Sequence, residues 1–143
     1  MFGQIKSFFK PKPKNTNVRI LVIEDSEIDR KIACKAIELG GYTPLTAHDG
    51  QTGLSMAKEL LPDLVILDCH LPDTRGHEVC KLLKEDAATR RIPVLFLTSE
   101  FSSNNIIDCY EQGGETYLVK PVQPKFLLKQ INNVLEDTQK AQE

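Results

Sequence analysis

Glu24, Asp25, Asp68, Thr98 and Lys120 are the residues whose types and setting could do chemistry together. Each set follows directly on an apolar run: residues 18–23 before the Glu24-Asp25 pair, 64–67 before Asp68, 94–97 before Thr98, and 117–119 before Lys120. Three carboxylates brought to one place repel unless a cation is shared between them. All-oxygen ligands suit Mg²⁺, which also keeps water positions open for a phosphate. A carboxylate can attack phosphorus and become an aspartyl phosphate. Mg²⁺ and a lysine then neutralise the phosphoryl oxygens, and a threonine hydroxyl can hydrogen-bond one of them. Singly, each residue has a duller reading: an acid in a solvated turn, a snorkelling lysine, an ordinary strand terminus. Four such ends in one chain favour the joint reading, a phosphoryl-acceptor site.

The elements that must position these residues are legible from hydrophobic patterning. Residues 18–23, 64–67, 94–97 and 117–119 read as buried strands, and 42–47 as a weaker one whose Pro44 marks a sheet edge. Between them run helical patterns. Ser26 is a candidate cap with Asp29 at its third helical position. Ile28, Ile32, Ala36 and Leu39 then recur at helical spacing up to Gly40-Gly41. A second helix carries Leu54, Met56, Ala57, Leu60 and Leu61 and stops at Pro62. A third, from about Gly76 to Glu85, has Val79, Leu82 and Leu83 as its stripe. A fourth, less regular, carries Ile106, Ile107 and Tyr110; Pro124 suits the first turn of a fifth, with Phe126, Leu127, Ile131, Val134 and Leu135 facing inward. Five strands alternating with five helices predict a doubly wound α/β domain with a parallel sheet, order 2-1-3-4-5. The switch point between the first and third strands sets Glu24 and Asp25 beside Asp68.

Composition excludes several classes. At 143 residues, with a net charge of -2, the chain fits one globular domain and carries no general nucleic-acid signal. The charge is uneven: residues 1–17 hold four lysines and no acid, leaving 14 basic against 20 acidic residues elsewhere. With Pro11 and Pro13, that stretch reads as a basic leader and linker, 1–17, before a domain spanning 18–143. Phe2, Ile5, Phe8 and Phe9 would suit membrane or partner docking, but the segment is too short to hold a helix alone, so a frayed leader is preferred. Cys34, Cys69, Cys80 and Cys109 show no CxxC, and nothing marks secretion, so free thiols in the cytoplasm are expected.

Taken together the motifs resemble the receiver domain of bacterial two-component response regulators, over about residues 18–137. The residues that carry the resemblance are 20–25 with Arg30, 63–68, Leu71-Pro72 with Gly76, 97–99 and 117–121. It implies a flavodoxin-like fold, Asp68 as phosphoacceptor, and Glu24, Asp25, Asp68 and the His70 backbone carbonyl as ligands of Mg²⁺. It further implies Thr98 as the switch hydroxyl, Tyr117 as the aromatic that follows it, and Lys120, with a cis bond to Pro121, as the partner of the phosphoryl group. Glu24 departs from the more frequent Asp, and Cys69 and His70 flank the acceptor, where either could alter the phosphate's lifetime.

The expected function is that of a single-domain regulator resembling the chemotaxis type, not an enzyme. A histidine kinase or phosphotransfer protein would donate the phosphoryl group, and a protein partner would dock on the face of the fourth helix, fifth strand and fifth helix. Only six residues follow Asp137, so a DNA-binding output and direct transcription-factor action are not expected. A phosphatase with an Asp nucleophile is the main alternative, but it needs a second Asp two residues on, where His70 stands. A phosphorylation-independent binding module is the other.

Overall fold

A computed structural model describes residues 17–142; the basic leader, apart from Asn17, lies outside them. The elements alternate without exception: β1 (Arg19–Ile23), α1 (Glu27–Leu39), β2 (Thr43–Ala47), α2 (Gly50–Leu60), β3 (Leu64–Leu67), α3 (Gly76–Glu85), β4 (Val94–Thr98), α4 (Ser103–Glu111), β5 (Thr116–Val119) and α5 (Pro124–Gln142). All strands pair in parallel in the order β2-β1-β3-β4-β5, as the patterning predicts. Pro44 sits on the edge strand β2, where a missing N–H interrupts no ladder on the outer side.

Strand side chains alternate between two cores, because successive residues point to opposite faces of the sheet. Leu21, Ile23, Val65, Leu67 and Phe96 pack with Ala57, Val79, Cys80, Leu83 and Cys109 from α2, α3 and α4. Ile20, Val22, Leu64, Ile66, Leu95 and Leu97 pack on the other side with Ala33, Ala36 and Ile37 of α1 and Leu127, Ile131 and Val134 of α5. The central strands are therefore apolar on both faces, which is why their sequences run without polar interruption.

Helix boundaries follow local signals. The Ser26 hydroxyl accepts the Asp29 N–H at 3.3 Å to open α1, and Asp49 accepts the Thr52 N–H at 2.7 Å to open α2. Leu61 closes α2 in the left-handed conformation, with φ at 48°, directly before Pro62. Gly76 is required by a close approach: a Cβ there would run into the Asp68 carbonyl oxygen.

The predicted helix faces need correction. Ile28 is 71% exposed and Leu39 50%; of the expected stripe Ala36 is fully buried, and the buried face of α1 runs through Ala33, Ala36 and Ile37. Two alanines allow α1 to lie close to the sheet, and Ile37 is the one bulky side chain of the helix that is fully buried there. Leu82 on α3, Leu61 after α2 and Phe126 on α5 are likewise exposed, whereas Leu83, Leu127, Ile131 and Val134 are buried as expected. Among the described residues, no helix is long and apolar enough to cross a membrane.

Candidate functional site

The sheet order brings the carboxyl ends of β1 and β3 together. Ile23 and Leu67 are register partners, and the Asp68 N–H donates to the Ile23 carbonyl at 3.1 Å, extending the ladder one residue past the strand. Glu24, Asp25 and Asp68 thus offer carboxylate oxygens all within 4.8 Å of one another. Asp68 and Glu24 are buried, whereas Asp25 is exposed, so the cluster has one open side. Arg30 donates from Nη1 to the carbonyls of Glu24 and Asp25, at 3.1 Å each, and holds the β1–α1 loop in shape.

Lys120 arrives from the end of β5, its N–H bonded to the Thr98 carbonyl at 2.8 Å and its peptide bond to Pro121 cis. Its ammonium lies 2.6 Å from Glu24 Oε1, 2.8 Å from Asp29 Oδ2 and 3.0 Å from Asp68 Oδ2. Asp29 is the member that sequence reasoning missed. Its signal was its place at the third position of α1, where a side chain points back toward the helix N-terminus and hence over the end of β1.

The electrostatics divide the two buried acids. Burial, with the Asp68 charge adding to it, pushes the Glu24 carboxyl up to about 7 against the pull of Lys120. Burial pushes Asp68 the same way, but the His70 N–H at 3.1 Å, Glu24 and Lys120 outweigh it and hold the carboxyl below its usual range. Burial would lower the Lys120 ammonium, yet its bonds to Asp29, Glu24 and Asp68 carry it above the ordinary lysine value. The result is an Asp68 carboxyl that ionises more readily than usual beside a Glu24 carboxyl that ionises less readily, both held by one cation. The donor set is wholly oxygen and partly open to solvent, so Glu24, Asp25 and Asp68 could hold a hard metal ion.

Thr98 and Tyr117 belong to a second network, one step away. The Thr98 hydroxyl accepts from the Glu100 N–H at 3.3 Å. Tyr117 stacks obliquely on Phe96, donates its hydroxyl to the Glu100 carbonyl at 2.5 Å and accepts from Asn105 Nδ2 at 2.7 Å. Arg75 crosses from the β3–α3 loop to Glu100 Oε2 at 2.7 Å and Asn105 Oδ1 at 3.2 Å. The His70 side chain, which flanks the acceptor, joins them, with Nε2 2.9 Å from Glu100 Oε2 and Nδ1 3.2 Å from Arg75. Arg75, Glu100 and Asn105 carried no motif of their own, although Arg75 directly precedes Gly76 and Glu100 lies two residues after Thr98.

Comparison with known proteins gives this arrangement its class. The profile of the response regulator receiver domain matches residues 20–132, and the chain belongs to that family. It is 38% identical over 117 residues to the phosphate regulon transcriptional regulatory protein PhoB of Klebsiella pneumoniae, covering 82% of this chain and 51% of that protein. The chain thus spans about half the length of the PhoB relatives it matches. It is 34% identical to the polar-differentiation response regulator DivK of Brucella anthropi, covering 82% of this chain and 96% of DivK. The CheY-like receiver domain of Methanospirillum hungatei superposes with a TM-score of 0.81 at 25% identity, over 86% of this chain and 97% of that one. Chemotaxis protein CheY4 of Vibrio cholerae gives 0.77 at 30%, over 82% and 98%. The family is a signalling domain of two-component systems.

Proposed function

We propose that Asp68 accepts a phosphoryl group from the phosphohistidine of a sensor kinase or phosphotransfer protein, and that this switches a protein-docking surface. What carries the reading is the buried, ionised Asp68 carboxylate 3.0 Å from the Lys120 ammonium, beside two further acids. One carboxylate oxygen attacks phosphorus, the P–N bond to the donor imidazole breaks, and an aspartyl phosphate results. Mg²⁺, held by Glu24, Asp25, Asp68 and the His70 carbonyl, would supply charge neutralisation for the phosphoryl oxygens. Lys120 exchanges its contact with Asp68 for one with a phosphoryl oxygen. Thr98 leaves the Glu100 N–H to bond another, and Tyr117 follows into the space vacated.

The face of α4, β5 and α5 is the proposed docking surface; exposed Ile107, Tyr110, Val119 and Phe126 there suit a protein partner. The receiver unit is assigned to residues 18–143, and its four free thiols suit the cytoplasm. The domain is read as a phosphoacceptor, not a turnover enzyme, because the position two residues after Asp68 is His70 and its imidazole is engaged with Glu100. Borohydride reduction of the phosphorylated protein tests the assignment. It is expected to convert residue 68 to homoserine in the peptide map; homoserine at another aspartate, or sustained release of phosphate from a generic phosphomonoester, would overturn it.

A further inference from the structure

The phosphoryl-acceptor reading makes no use of two buried thiols that lie against each other. Cys69 directly follows Asp68, and Cys109 lies in α4; both are fully buried, and their sulfurs are 3.6 Å apart. Asn105 Nδ2 donates to the Cys69 sulfur at 3.2 Å and to Tyr117 at 2.7 Å, so the pair is continuous with the Tyr117 network. The other two cysteines are set apart. Cys34 lies on α1, beyond the opposite face of the sheet, and Cys80 donates to the Gln112 carbonyl at 3.2 Å. We propose that Cys69 and Cys109 form a modification site, a thiol pair that closes to a reversible disulfide and ties the Asp68 loop to α4.

The closure required is small. A disulfide places its sulfurs about 2.05 Å apart, so the gap narrows by roughly 1.5 Å. Helix α4 is the element suited to yield: it has nine residues, of which Asn105 and Cys109 alone are buried, so local opening also admits a small oxidant. With hydrogen peroxide as oxidant, one thiol is oxidised to a sulfenic acid with release of water. The second thiol then attacks that sulfur, the S–O bond breaks, and a second water leaves. Two thiols are oxidised and one peroxide is reduced. A dithiol reverses the step by exchange through a mixed disulfide.

The consequence for signalling rests on the phosphoacceptor reading. A covalent tie from residue 69 to α4 holds the Asp68 loop and the Asn105–Tyr117 contact in their present arrangement. The oxidised form is therefore expected to take up phosphoryl groups about tenfold more slowly than the reduced form.

The native chain treated with peroxide, alkylated after denaturation and digested provides the test. The expected result is a Cys69–Cys109 linked peptide, loss of two hydrogens from the intact mass, alkylated Cys34 and Cys80, and full reversal by dithiothreitol. The link should persist in a Cys34→Ser, Cys80→Ala variant. Absence of the linked peptide while Cys34 is oxidised overturns the site, as does a link through Cys34 or Cys80. Equal uptake of acetyl phosphate by linked and reduced protein overturns the coupling. No uptake by either form counts against the phosphoacceptor reading and leaves the peptide map to decide the thiol site.

Discussion

Lys120 is the residue on which the site turns, because one ammonium is asked to hold Glu24, Asp29 and Asp68 at once. Its presence was legible from the strand end it follows; its triple engagement was not, since no pattern announces that the third residue of α1 reaches the end of β5. Glu24 shows the electrostatic cost of the gathering most clearly. Its carboxyl is pushed from the ordinary 4.5 up to about 7, so the folded protein keeps a proton that the unfolded chain has released. A group of raised pKa in the acid class favours folding less as pH climbs between those two values. With metal removed by a chelator, Glu24→Gln is expected to be more stable than the native protein by about 2 kcal/mol at about pH 8, and equal to it at about pH 4. Thermal unfolding checks this. No gain at the higher pH would mean that the native carboxylate is already ionised and tolerated.

At the scale of elements, the strand ends position the chemistry and the loops after them set its fine geometry. The β3–α3 loop does most. Gly76 lets α3 begin against the Asp68 carbonyl, and Asp73 reaches over to the N-terminus of α2, accepting the Gly50 and Gln51 N–H groups at 2.8 and 2.9 Å. Gly76→Ala is expected to cost about 2 kcal/mol in chemical denaturation, the penalty of overpacking against backbone, and to slow phosphoryl uptake by displacing Asp68. An unchanged midpoint would mean that the loop moves aside freely. Strand identity and order were readable because unbroken apolar runs leave few alternatives. Helix faces were less so: Ile28 and Leu39 match the helical period as well as Ala33, Ala36 and Ile37 do. Only the rotation at which α1 packs on the sheet, with Ala33 and Ala36 inward beside Ile37, separates the two stripes. Arg75, Glu100 and Asn105 were invisible for a related reason, since they come from separate loops and a short helix that meet only after folding.

For the whole molecule, a sheet covered on both faces acts as a rigid base with its reactive residues at one end. The α1–α5 side is further tied by the Tyr42 hydroxyl, which donates to Asn132 Oδ1 at 2.6 Å. The ladder begins at Arg19, and the Val18 carbonyl already accepts the Thr43 N–H at 2.9 Å, so nothing in the described site draws on residues before 17. Deletion of residues 1–17 is accordingly expected to leave the rate of phosphoryl uptake within about twofold of the full chain, less than 0.5 kcal/mol in barrier. A loss beyond that would place part of the leader within the working domain.

If Asp68 is the phosphoacceptor and metal is needed for its chemistry, uptake of phosphate must vanish with either one removed. Incubation with acetyl phosphate and Mg²⁺, followed by intact mass, tests it most directly. The native chain is expected to gain one phosphoryl group, and none with chelator or in Asp68→Ala. An equal gain in Asp68→Ala would contradict the account.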